Sequence, residues 1–121
     1  GVLGGDVSLD RLALLQSDAE VNVRCNAAIG LARNGDVRSI PGLLSMLDPD
    51  EVSRFKDFQR STILVNAMRG VTHLAAKNDD ADLSTLIETI ESLAHGGQNS
   101  FVRARAIETL NELKRSAARQ Q

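Results

Sequence analysis

The 121-residue sequence predicts an all-α protein, an α-α superhelix of antiparallel helix pairs, on three observations. Apolar residues recur at helical spacing along nearly the whole chain, and no segment sustains the period-two alternation of a half-buried strand. Helix start and stop signals punctuate the chain at short intervals. One pattern of small and aliphatic residues returns about every 40 residues, the mark of stacked helix pairs.

Six helices are expected, over about residues 7–16, 19–33, 38–47, 51–77, 82–94 and 99–117. Ser17 and Glu20 have capping-box spacing ahead of the second helix, whose face carries Val23, Ala27, Ala28 and Leu31. Gly35 follows as a stop signal. Pro41 and Pro49 are the only prolines, and each suits a first helical turn, where a missing N–H costs nothing. Asp48 or Asp50 is placed to cap the fourth segment, which is long enough to expect a break near residues 57–60. Asp80 precedes the fifth helix, whose apolar face is Leu83, Leu86, Ile87, Ile90 and Leu93. Gly96-Gly97 stops that helix, and Asn99 or Ser100 caps the sixth.

The helices repeat one another. Asn26-Ala27-Ala28-Ile29-Gly30-Leu31 aligns with Asn66-Ala67-Met68-Arg69-Gly70-Val71 at an offset of 40, and that copy aligns with Arg105-Ala106-Ile107-Glu108-Thr109-Leu110 at an offset of 39. Leu43, Met46 and Leu47 recur as Leu83, Leu86 and Ile87. Ala27, Ala28, Gly30, Ala67, Gly70 and Ala106 keep one helix surface low, so a neighbouring helix can approach closely. The period divides one domain, residues 1–121, into a partial unit 1–17, units 18–48 and 49–96 and a partial unit 97–121, expected to belong to a longer array.

From Val23 to Asp50 the chain resembles a HEAT repeat of the PBS-lyase HEAT-like subtype. The matching positions are Val23-Arg24, Ala27-Ala28, Leu31, Gly35-Asp36, Pro41, Leu43-Leu44, Leu47 and Asp48-Pro49-Asp50. Val102-Arg103, Ala106, Ile107 and Leu110 match the first half again. The middle copy departs, with Ile63-Leu64 in place of Val-Arg and an extension over residues 51–61. The resemblance implies a short right-handed solenoid of three to four units. It also implies that Arg24, Asp36, Pro41 and Arg103 are structural, the arginines and the turn aspartate bridging backbone groups and neighbouring repeats.

Composition narrows the function. Aromatic residues are 2% of the chain, with no Trp and no Tyr, which disfavours aromatic-lined pockets and base-stacking platforms. A formal charge of −2 offers no general affinity for nucleic acid. Cys25 is the only cysteine, so neither an intramolecular disulfide nor a cysteine-based zinc cluster is possible. Arg24 beside Cys25 could favour a thiolate. Yet no histidine is near in sequence, and Val65 and Ala104 stand at the matching positions, so a small packed thiol is expected. His73 and His95 lack a Cys or His at ligand spacing, and neither begins the His-Glu dipeptide of the HEAT-like hydroxylases. Gly4-Gly5 and Gly96-Gly97 sit in no phosphate-loop frame. No cofactor and no metal site is expected. No apolar run approaches the roughly 20 residues that span a bilayer. A lone cysteine slightly favours the cytoplasm.

The expected function is therefore a non-catalytic protein-protein interaction or scaffold module. Second helices of HEAT pairs line a concave face. Asp10, Arg11, Ser45, Glu88 and Glu91 fall on their outward positions and form the candidate partner-binding face. Its acidic part lies between Asp79 and Glu91, where five acidic residues and no basic one occur. The expected partner is a protein or peptide, not nucleic acid or membrane. Self-association through exposed terminal helices is a further expectation. Two other readings stand behind this one: an accessory part of a bilin lyase-like enzyme, and a nucleic-acid-binding HEAT-like protein, which an acidic concave helix disfavours.

Overall fold

The computed structural model describes the backbone of residues 5–96 and 98–119. It is helical throughout these residues, without strands: α1 (Gly5–Leu15), α2 (Val21–Arg33), a 3-10 turn (Val37–Ser39), α3 (Ile40–Leu47), α4 (Pro49–Val52), α5 (Asp57–Lys77), α6 (Ser84–His95) and α7 (Ser100–Arg119). The long fourth segment does break, but earlier than expected, with residues 53–56 separating α4 from α5.

Two layers result. The first helices α2, α5 and α7 lie side by side, and α3 packs beside α6 behind them. Helix α1 packs on α2. The core joins both layers through Leu43, Leu47, Leu64, Met68, Leu74, Leu86, Ile90 and Val102. Leu47 and Leu86, recurrent apolar positions of the second helices, are both fully buried.

Close approach explains the small residues. A Cβ on Gly42 would collide with the Gln16 carboxamide oxygen and stand 2.7 Å from the Ala28 Cβ. A Cβ on Gly70 would stand 2.9 Å from Leu43 Cδ2, where α5 crosses α3. Gly35 ends α2 with φ +74, and a Cβ there would stand 2.7 Å from the Lys77 Cβ at the end of α5. Asn78 Nδ2 donates to the Gly35 carbonyl at 3.0 Å, tying one inter-helix turn to the next.

Caps differ in detail from the sequence expectation. Glu20 is the N-cap of α2 and makes no side-chain cap bond; the expected Ser17–Glu20 box does not form. Asp18 Oδ1 instead accepts the Glu20 N–H at 2.8 Å, because its short carboxylate reaches two residues on. Asp82, not Asp80, meets the start of α6, accepting the Ser84 N–H and hydroxyl at 3.1 and 2.7 Å. The Asp80 N–H is itself held in a turn by Asn78 Oδ1 at 3.0 Å. Asp48 accepts the Asp50 N–H at α4, and Asn99 accepts the Val102 N–H at α7. Gly96 closes α6 with φ 142, while Gly97 and Gly4 lie outside the described residues.

Candidate functional site

The described residues enclose an open cleft of about 690 Å³. It lies where α1, α2, α3 and the α4–α5 connection meet. Its apolar lining is Ala13, Val21, Cys25, Pro41, Met46, Val52, Phe55 and Ile63. Its polar lining is Gln16, Ser17, Arg24, Ser45, Glu51 and Arg54. Two local features shape it. Helix α3 spans eight residues, and Pro49 then starts α4 at once, so the chain turns across the end of the hairpin. The extension that the middle copy adds to the repeat contributes Glu51, Val52, Arg54 and Phe55 as one wall.

Hydrogen bonds hold the walls in place. Arg24 Nη1 donates to the carbonyls of Asp18 and Ala19 at 2.9 and 3.1 Å, fixing the α1–α2 turn against α2. Gln16 Nε2 donates to the Arg38 carbonyl at 2.8 Å, while its carboxamide oxygen is buried without a partner. Ser45 Oγ donates to Glu51 Oε2 at 2.5 Å, linking α3 to α4. Arg60 donates to the Ser53 carbonyl at 3.2 Å and to the Phe55 carbonyl, and pairs with Asp57. The Arg54 guanidinium lies over the Phe55 ring at 5.0 Å and makes no ion pair among the described residues.

Cys25 is half-buried in this cleft. Burial pushes its thiol up, and the nearby Arg24 charge offsets that only in part. The thiol form therefore dominates at neutral pH, which is the opposite of an activated nucleophile.

The residues singled out by sequence disperse. Asp36 caps the 3-10 turn and accepts from the Arg38 N–H and guanidinium, at 2.9 and 2.6 Å. Arg38 Nη1 reaches Asp10 of α1 at 2.8 Å, so Asp10 is engaged in tying α1 to the turn. These bonds hold the Asp36 carboxyl below the usual carboxylate range, Arg38 being the first cause. Pro41 is in the first turn of α3. Arg103 is exposed, and its side chain makes no hydrogen bond or ion pair among the described residues, so the bridging implied for it is not made there. Arg11 is exposed on α1, and Glu88 and Glu91 are exposed on α6. Ser45 alone of the candidate face lines the cleft.

No sequence pattern marks the cleft. Along its own helix the stretch around Arg24 and Cys25 reads as scaffold, and the candidate face falls on the second helices. Among the cleft residues, Arg54 and Phe55 were within reach of sequence reasoning, since the extension over 51–61 is where the repeat pattern breaks. Gln16, Met46 and Ile63 gave no such signal.

Comparison with known proteins agrees with this architecture. The family model described as the PBS lyase HEAT-like repeat matches residues 23–49, the span of α2, the 3-10 turn and α3. No curated protein and no solved structure matches the chain significantly. HEAT-like repeats are helical modules that commonly mediate protein interactions, and no helix among the described residues is long and apolar enough to cross a membrane. Residues 23–49 match the PBS lyase HEAT-like repeat, and the described residues built around them form an all-helical solenoid.

Proposed function

We propose that the chain is a non-catalytic docking module that takes a segment of a partner protein into the cleft between α1, α2, α3 and the α4–α5 connection. The observation that carries this reading is the cleft's apolar floor, which draws on each helix from α1 to α5 and on Phe55 between α4 and α5, and is open to solvent at about 690 Å³. That volume is within the roughly 300–1,000 Å³ that accommodates a ligand or several partner side chains. Phe55 and Met46 are the large adaptable groups within it, suited to anchoring aliphatic side chains. A protonated, half-buried Cys25 supports binding over covalent chemistry. Self-association is the competing use of exposed apolar surface, since Phe101 and Ile107 on α7 are 55% and 51% exposed.

Panning a random 12-residue peptide display library against the whole chain tests the reading. Enriched peptides are expected to lose binding to Phe55→Ala and to retain it on Glu88→Lys/Glu91→Lys. The reverse pattern overturns the cleft in favour of the acidic surface of α6. Failure to enrich any peptide, with a concentration-dependent dimer in sedimentation that Ile107→Glu dissolves, assigns the exposed surface to self-association instead.

A further inference from the structure

We infer that the cleft selects an acidic partner: an aliphatic peptide segment flanked by carboxylates, received by Arg54 and Arg24 at the rim. This rests on the docking reading above and adds the chemistry of the occupant. The argument is one of charge. The whole chain carries a formal −2, yet the charged groups lining the cleft are Arg24, Arg54 and Glu51. The single carboxylate among them is engaged, because Glu51 Oε2 accepts the Ser45 hydroxyl at 2.5 Å. Local charge at the cleft thus opposes the sign of the molecule.

The two arginines also differ from those paired with carboxylates elsewhere in the chain. Arg38 is paired with Asp36 and Asp10, Arg60 with Asp57, and Arg105 with Glu108. Arg24 spends one guanidinium nitrogen on two backbone carbonyls and has no carboxylate partner among the described residues. Arg54 has neither carbonyl nor carboxylate partner among the described residues, only the face of Phe55 at 5.0 Å. Stacking on a ring orients a guanidinium while leaving its N–H edges free. A carboxylate brought to that edge meets it beside an apolar floor, where water is partly displaced and a charge-assisted hydrogen bond is stronger than on an open surface. A basic segment would face two cations against the single Glu51 carboxylate.

The same library separates this inference from the docking reading. Peptides lost on Phe55→Ala are expected to combine aliphatic residues with a net negative charge. Their affinity should fall roughly tenfold on Arg54→Glu, and weaken as salt is raised. Arg54→Glu, panned in its own right, should enrich peptides of net positive charge. Peptides that depend on Phe55 but are neutral or basic, or that ignore Arg54→Glu, overturn the acidic preference while leaving the docking site standing. Enrichment of no Phe55-dependent peptide overturns both.

Discussion

Helices α2 and α7 carry the same register of small and aliphatic residues and bury it to different depths. Ala27 and Ala106 are both closed off, at 1% and 0% exposure. One position later the copies diverge: Ala28 is fully buried, its counterpart Met68 is 1% exposed, and Ile107 is 51% exposed. Ala28 faces Gly42 of its own second helix, α3. Among the described residues α7 is the last helix, and it packs mainly on α5 and α6. Equal sequence therefore does not mean equal energy. A repeat position acquires its stabilising value from the neighbour that covers it.

Core truncation breaks the comparison most strongly. Leu31→Ala, Leu47→Ala or Leu86→Ala should each cost about 2–5 kcal/mol, since all three side chains are fully buried. Ile107→Ala should cost well below that, under about 1 kcal/mol, because half its surface already faces water. Urea denaturation of the four variants measures the contrast. Equal losses would mean that α7 is covered in solution.

The two positive-φ glycines among the described residues give a smaller contrast. Gly35→Ala combines a strained backbone with a Cβ 2.7 Å from Lys77 Cβ. Gly96→Ala meets nothing within 4 Å and bears strain alone. The first should be destabilised by about 1–3 kcal/mol and the second by less, read from their thermal midpoints.

The caps come next. Asn99→Ala removes the acceptor for the Val102 N–H at the start of α7 and should cost about 0.5–2 kcal/mol. Ser17→Ala, at the position where a cap was expected and none forms, should be near neutral.

Acid gives the smallest effect. The Asp36 carboxyl lies below its ordinary value because Arg38 holds its charged form. That contribution is complete above the unfolded carboxylate pKa of about 3.9 and disappears as pH falls through the lower folded value. Arg38→Ala should therefore lower stability at neutral pH and flatten its decline below about pH 4, as chemical denaturation across a pH series would register.

Helices and their stacking were legible in the sequence because both depend on local pattern. Apolar spacing marks a helix face, and recurrence of Ala and Gly at an offset near 40 marks where helices approach. The caps were only half legible. Asp18 competes with Ser17, and Asp82 with Asp80, and the winner is set by turn geometry that a string of residues does not show. The cleft was the least legible feature. Arg24 and Cys25 read as scaffold when taken along their own helix, and Arg24 does hold the α1–α2 turn. The same residues also wall a cavity completed by Met46, Phe55 and Ile63, which lie 21 to 39 positions from Arg24 or Cys25 in the chain.

By itself, then, the sequence determined that this chain folds into helix pairs, that the pairs repeat, and which faces turn inward, because helical period and residue size act over a few turns. Only the tertiary structure decided where surface is left uncovered. A short α3, the immediate turn into α4 and the Arg54-Phe55 connection leave room beside α2, and Gln16 keeps the end of α1 against Gly42 at its edge. A cavity is the space that several elements fail to fill together, so it has no periodicity of its own to read.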